Sequence, residues 1–131
     1  MGVGRGMLPA YMLRQLYVKG SMKNMKEGDK VVGFTLSLKN KLGSANLKGE
    51  VVLAVDGQPV PPDSILLRKG DTTIQMSDLV QTPMKFSVGD LLDVAVKKEG
   101  GLTPGQHKID VKFNIVEFGK AQFDLTDTVT A

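Results

Sequence analysis

Apolar and polar residues alternate with a period of two along most of this chain. The clearest run is HKIDVKFNIVEF, which begins at residue 107, and further runs are GFTLSLKN, EVVLAVDG and LLDVAVKK. Such alternation predicts antiparallel strands with one buried and one solvated face, because successive side chains of a strand point to opposite sides. The positions expected to face inward are Phe34, Leu36, Leu38, Val51, Leu53, Val55, Leu92, Val94, Val96, Ile109, Val111, Phe113 and Ile115.

Turn residues separate these runs at the spacing that is typical of a sandwich of two sheets. Asp56-Gly57 predicts a tight hairpin, since both residues tolerate the positive φ that a primed turn requires. SILLRKG, TTIQM, MKFSV and KAQFDLTDTV are further strand candidates. We therefore predict an all-β fold, an antiparallel β-sandwich of about eight to nine strands with at most one short helical turn.

Two segments carry a helical signal. MSDLVQTP is expected to hold one helical turn, capped by Ser77 and ending before Pro83. PAYMLRQLYV mixes helix formers with an alternation of Tyr11, Leu13, Gln15 and Tyr17, and we interpret it as a strand.

Composition sets the size and class of the protein. With 131 residues and 41% hydrophobic content, the chain suits a single β-sandwich domain over residues 7–131. Three glycines among the first six residues favour a flexible leader over residues 1–6. No apolar stretch reaches the ~20 residues of a membrane helix, and no secretory signal is recognisable. Since the chain has no cysteine, we expect a cytoplasmic protein without disulfides.

Charge does not favour nucleic acid as a partner. The net charge is only +3, lysines alternate with acidic residues, and the chain has two Tyr, five Phe and no Trp for stacking on bases. No membrane or nucleic-acid role is expected.

His107, the single histidine, is the first candidate for chemistry. It has no second His and no Cys to complete a metal site, and a catalytic imidazole normally needs an orienting partner. Two readings stay open: a surface or half-buried histidine at the start of a strand, or one presented to another subunit. The pairs Asp90/Asp93 and Asp124/Asp127 are more typical of turn hydrogen bonding than of acid–base catalysis.

Five segments in a fixed order point to a family. They are Y…VKGS.KN (residues 17–24), GF.LSLKN.LG (33–43), V..AVDG..VP (51–61), F..GD (86–90) and GGL.PG.H.I.V (100–111). In this order the chain resembles the small β subunit of bacterial C-glycoside deglycosidases, from about Met7 to the C-terminus.

The resemblance implies a heteromeric lyase that cleaves the C–C glycosidic bond of 3-oxo-C-glycosides of the polyphenol or flavonoid type. The partner would be a TIM-barrel α subunit that carries a divalent metal, expected to be manganese, and a histidine base. The small subunit would be a β-sandwich that the large one needs for solubility and activity. No catalytic, cofactor-binding or metal-binding residue is then assigned to this chain. Leu102, Pro104 and His107 are the candidates for a corner that faces the partner.

Two other functions remain open. One is a stand-alone carbohydrate-binding or interaction β-sandwich. The chain has no Trp, and Tyr11 and Tyr17 near the N-terminus are its only tyrosines on which a sugar ring could stack. The other is an autonomous small enzyme, which the shortage of reactive groups disfavours.

Overall fold

Alternating strands form two packed antiparallel sheets in the computed structural model, which describes residues 8–130. The elements are α1 (Ala10–Leu13), β1 (Lys23–Glu27), β2 (Lys30–Lys39), β3 (Ala45–Leu47), β4 (Val52–Val55), β5 (Gln58–Pro59), β6 (Ile65–Lys69), β7 (Thr72–Gln75), α2 (Met76–Gln81), β8 (Met84–Phe86), β9 (Leu91–Lys97), β10 (Gly105–Ile115) and β11 (Gly119–Val129). Short 3-10 helices cover Arg14–Leu16 and Pro62–Ser64.

The first sheet has the strand order β1-β2-β9-β6-β7. In the second sheet, β10 pairs with β11 along its whole length, while β4 and then β3 pair with its other edge. β5 and β8 complete that sheet. β10 thus runs from one end of the sandwich to the other and links the two ends described below.

The alternating positions form the core that the sequence predicts. All thirteen of the expected inward-facing residues belong to one buried apolar cluster, from Phe34, which is completely buried, to Val55, which is 9% exposed. The apolar side chains on the inner face of each sheet are removed from water when the two sheets pack together. This burial is the main favourable term for folding. The all-β sandwich is confirmed.

The described part of the chain contains eleven strands rather than eight or nine. The additional strands include β1 and β3, which lack a run of alternating apolar residues. β1 is a lysine-rich edge strand of which no face is fully buried, and β3 has only three residues. Neither strand could be recognised from a period-two pattern, because that pattern appears only in a strand of several residues with one face buried in the core.

The helical content was underestimated, and the strand prediction for residues 9–18 was wrong. The structure has two short α-helices, and the first begins after Pro9 and continues as a 3-10 turn up to Leu16. Leu13 and Leu16, three residues apart, are buried, whereas Tyr11 is 67% exposed. The helical spacing therefore buries more apolar surface than the alternation does.

The second helix forms where it was expected, but with a different cap. Gln75 is the N-cap residue, not Ser77, and its backbone N–H donates to the Asp78 carboxylate at 3.0 Å. The helix ends at Gln81, ahead of Pro83, as predicted.

The outer edge of β11 is covered by the N-terminal segment. Arg14 Nε donates to the main-chain oxygen of Asp124, and Arg14 Nη2 to the Asp124 carboxylate, both at 2.9 Å. The Asp127 carboxylate accepts hydrogen bonds from the Tyr17 hydroxyl at 2.6 Å and from the Gly20 N–H at 2.7 Å. Burial and this bond to Asp127 raise the pKa of Tyr17 to about 12. Edge strands are aggregation sites when left open, and these contacts close part of this one.

The predicted leader over residues 1–6 lies outside the described residues. Among residues 8–130, no helix is long and apolar enough to cross a membrane.

Candidate functional site

The loop between β9 and β10 places the three candidate corner residues in different environments. Leu102 is buried with 4% of its surface exposed, Pro104 is exposed, and His107 lies near the start of β10 with a side chain that is 11% exposed. Leu102 and His107 line one common groove, and Pro104 does not. We refer to residues 98–107 and the side chains that hold them as the His107 corner.

Asn24 on β1 fixes the first half of the His107 corner. Its Nδ2 donates to the Leu102 carbonyl at 2.9 Å, and its Oδ1 accepts from the Leu102 N–H at 2.8 Å. Gly101 adopts a φ of +60° and approaches Asn24 so closely that a Cβ there would overlap the Asn24 carboxamide. A glycine is required at this position for both reasons.

His107 fixes the second half of the corner with both ring nitrogens. Nδ1 lies 2.6 Å from Asp56 Oδ2, and Nε2 lies 2.7 Å from the Thr103 carbonyl oxygen. A carboxylate and a carbonyl can only accept hydrogen bonds, so the arrangement is complete when both nitrogens carry a proton. The hydrogen bond to Asp56, followed by that to Thr103, raises the pKa of His107 above its ordinary value.

In its protonated form the ring ties one loop to another through both nitrogens. Neither nitrogen is left free to act as a base or to bind a metal, because each already has a partner within the chain. His107 lies near the start of a strand with its ring largely buried. Contact of Leu102, Pro104 or His107 with another subunit stays a prediction.

Asp56 holds the other side of this ion pair from a hairpin turn. Asp56 and Gly57 have φ values of 50° and 86°, so the primed turn that the sequence predicts is confirmed. The Asp56 carboxylate also accepts from the Lys108 N–H at 2.9 Å. This backbone hydrogen bond, and then the one from His107, lower the pKa of Asp56. Sequence reasoning recognised the turn but not the pairing, because residues 56 and 107 are far apart along the chain.

A groove of about 510 Å³ opens beside the His107 corner. Val55, Val60 and Leu102 contribute apolar walls, while Lys97 and Lys98 bring positive charge to its lining. A groove with these walls can receive a segment of another molecule, but its lining includes no Phe, Tyr or Trp on which a sugar ring could stack.

Asn40 organises the opposite end of the sandwich, which sequence reasoning did not single out. It is the buried polar residue of the described chain, with 3% exposure. Its Nδ2 donates to the carbonyls of Gly43 and Phe86 at 2.8 and 2.7 Å, and its Oδ1 accepts from the N–H groups of Leu42 and Gly43 at 3.0 and 3.2 Å. Its backbone also bonds to Gly89 and Asp90. A buried amide with all its groups satisfied fixes the loops around it.

An apolar groove of about 280 Å³ opens at this Asn40 end. Its walls come from α1 and the following turn, from the loop after β2, from β3 and the end of β8, and from the end of β10 with the turn that follows it. Leu42 and Phe118 line it and are 36% and 46% exposed.

The carboxylates serve as hydrogen-bond acceptors, as expected. Asp90 accepts from the Ser87 N–H at 2.7 Å, and Asp93 accepts from the Ser37 hydroxyl at 2.6 Å. Asp124 is bound by Arg14, which lowers the pKa of that carboxyl. Within residues 8–130, no three His, Cys, Asp or Glu side chains cluster as metal ligands would.

A family model described as the hydroxymethylglutaryl-CoA reductase N-terminal domain matches residues 12–130. The chain belongs to this family. The match covers both ends of the sandwich, including Asn24, Asn40, Asp56 and His107. No curated protein sequence matches the chain.

One solved structure is similar in outline. It is the crystal structure of the collagen binding subdomain of the Enterococcus faecalis surface protein ACE, with 11% sequence identity and a TM-score of 0.41. The similarity covers 88% of this chain and 97% of that one.

Proposed function

We propose that this chain is the non-catalytic small subunit of a heteromeric lyase that cleaves the C–C glycosidic bond of 3-oxo-C-glycosides. Its role would be to stabilise a TIM-barrel catalytic subunit that carries a divalent metal. The chemistry to be performed explains why a separate catalytic subunit is needed. A C–C anomeric bond has no glycosidic oxygen to protonate, so the two-carboxylate route of ordinary glycosidases is closed.

Elimination offers another route for such a bond. A ketone at C3 of the sugar acidifies the proton at C2, which a base removes, and the electron pair left at C2 forms the C1–C2 double bond. The C1–aglycone bond breaks with its electron pair on the aglycone carbon, and that carbon takes up a proton. A divalent metal would polarise the ketone oxygen. In this proposal all of these groups belong to the large subunit, and no residue of the small subunit is assigned a step.

The observation that carries the proposal is that the five resembling segments contact one another. Asn24 of the first segment clamps Leu102 of the last, and Asp56 of the third binds His107 of the last. Asn40 of the second binds Phe86 of the fourth. Because segments far apart in the chain hold one another through these side chains, the contacts support the interpretation of the five segments as one pattern.

The family match is compatible with a non-catalytic domain that accompanies a catalytic one. Its description names a domain of a larger enzyme. This favours a second candidate function, a module that accompanies the catalytic part of a reductase. The two candidates differ in the reaction of the partner: cleavage of an oxidised C-glycoside, or reduction of hydroxymethylglutaryl-CoA.

Co-expression with the TIM-barrel protein of a neighbouring reading frame tests the proposal. We expect a stable complex that buries more than ~1,000 Å². We further expect turnover of a 3-oxo-C-glycoside by the complex, no turnover by this chain alone, and loss of turnover when a chelator removes the metal. A small subunit that stays monomeric beside this neighbour would contradict the proposal. Binding of glycans by the isolated chain would instead favour the stand-alone carbohydrate-binding function.

A further inference from the structure

The apolar side chains that the fold leaves exposed gather at one end of the sandwich. The described chain has eight large exposed apolar residues, and all except Val52 and Val80 lie on the segments that surround Asn40. These six, which we call the Asn40-end patch, are Tyr11, Leu42, Val88, Leu91, Val116 and Phe118.

Hydrogen bonds and strand pairing connect the segments of this patch. The Val88 N–H donates to Ser44 Oγ at 3.3 Å, and the Val116 N–H to the Asn46 carbonyl at 2.8 Å. Leu91 is paired with Lys39, next to Asn40. Leu42 and Phe118 line the apolar groove itself, together with Met12, the neighbour of Tyr11. Exposed apolar side chains that gather at one end of a domain in this way are candidates for an interaction site.

The rim of the groove carries positive charge without internal partners. Lys41 lies between the groove-lining residues Asn40 and Leu42, Lys39 precedes them, and Lys120 follows Phe118 by two residues. All three are exposed, and none forms a salt bridge with another described residue.

The nearby carboxylates each have a partner within the chain, and Glu117, which keeps its negative charge, is outnumbered by the three lysines. The Glu117 carboxylate accepts hydrogen bonds from the backbone N–H and the side-chain amide of Asn46, at 3.0 and 2.7 Å. Asp90 lies 3.5 Å from Lys69. An apolar centre with a cationic rim is complementary to an apolar segment flanked by acidic residues.

The groove beside the His107 corner is larger, but none of its lining residues belongs to the eight large exposed apolar residues. Leu102 is buried, and the polar groups of Asn24 and His107 are used within the chain. Along β10, the eight residue steps from His107 to Ile115 separate the two ends by about 27 Å. A partner that covers one end therefore need not touch the other.

We propose that the Asn40-end patch is the face on which the large subunit docks, through an apolar segment flanked by acidic side chains. This inference rests on the function proposed above and places the interface opposite to the corner that the sequence suggested. The partner would insert apolar side chains between Leu42 and Phe118 while its carboxylates pair with Lys39, Lys41 and Lys120. Its association rate would fall as salt screens these charges.

Substitutions at the two kinds of exposed apolar site test the proposal. Phe118→Ser should weaken binding of the co-expressed TIM-barrel protein about tenfold or more, since truncating a central aromatic at an interface has effects of this size. The matched control is Val80→Ser, which changes a similarly exposed apolar residue on α2 (48% against 46%). It should leave the dissociation constant within about twofold. Far-UV circular dichroism confirms that both variants are folded.

Hydrogen exchange gives a second readout that needs no substitution. In the complex, the amides of residues 41–44 and 116–119 should gain protection, while those of residues 56–60 and 103–107 should not. Two results would overturn this docking face and leave the proposed function intact: Phe118→Ser binds the TIM-barrel protein as tightly as wild type does, or only the His107 corner gains protection. Failure of the wild-type chain to bind the TIM-barrel protein would overturn both.

Discussion

The clamp between Asn24 and the Gly101-Leu102 backbone makes a quantitative prediction about stability. The double hydrogen bond of Asn24 to Leu102 should be lost in Asn24→Ala. Each hydrogen bond contributes about 0.5–1.5 kcal/mol, so the free energy of unfolding should fall by about 1–3 kcal/mol. The backbone N–H and carbonyl of Leu102 would be left without these partners.

Gly101→Ala should disturb the same clamp from the other side. Its φ of +60° imposes left-handed strain of about 1–2 kcal/mol on any residue with a Cβ. The new Cβ would also displace the Asn24 carboxamide and lie 2.7 Å from Val31 Cγ1. If Asn24 moves, its two hydrogen bonds are lost as well, which brings the expected total to about 2–5 kcal/mol.

Gly100→Ala is the matched control, because Gly100 has a φ of +81° but no atom within 4 Å of the position of a Cβ. It should cost only the strain of about 1–2 kcal/mol. Combined with Asn24→Ala, Gly100→Ala should be additive within about 0.5 kcal/mol. Gly101→Ala combined with Asn24→Ala should fall short of additivity by about 1–3 kcal/mol, since both remove the same bonds.

Urea unfolding followed by far-UV circular dichroism measures all five variants against wild type. Equal costs for Gly100→Ala and Gly101→Ala, with both additive to Asn24→Ala, would refute the clamp. Gly101 would then be selected for its backbone angle alone.

Three further predictions concern protonation and strand contact. The NMR titration of His107 should have a midpoint above the ordinary ~6.5, and Asp56→Asn should lower it; an unchanged midpoint would contradict the ion pair. Because the folded-state pKa is raised, the stability that His107 adds relative to His107→Gln should be present at about pH 6 and lost as the pH rises through that midpoint. In Tyr11→Phe, Tyr17 is the remaining tyrosine, and its ionisation followed by ultraviolet absorbance should have a pKa of about 12. The native state should lose stability as the pH rises from about 10, the pKa of tyrosine in the unfolded chain, to about 12. Ionisation near pH 10 would argue against the bond to Asp127. Gly33→Ala should prevent folding at ordinary temperatures, because its Cβ would overlap a carbonyl oxygen of β9, and a stable variant would show that the two strands can separate locally.

The long strands were predictable because their burial is one-sided. β10 alternates buried and more exposed residues from Ile109 to Ile115, so its pattern states both the secondary structure and the side that faces the core. The Asp56-Gly57 turn was equally clear, since few residue pairs accept two positive φ values.

The N-terminal helix was missed because its pattern is ambiguous over so few residues. Tyr11, Leu13 and Gln15 fit a period of two, while Leu13 and Leu16 fit a helical period, and only tertiary contacts decide between them. The site residues were harder still. The pairing of Asp56 with His107 and the burial of Asn40 depend on which strands become neighbours, a property that no local pattern contains.

Arg14 has a consequence for anyone who shortens this protein. It donates a hydrogen bond to the main-chain oxygen of Asp124 on β11, a strand of eleven residues that pairs with another strand on one side only. A chain that began after Leu16 would lose this hydrogen bond together with α1 and the 3-10 turn that contains Arg14. The bare strand could then recruit the same strand of another copy, and fibrous precipitate would be the expected product of such a truncation.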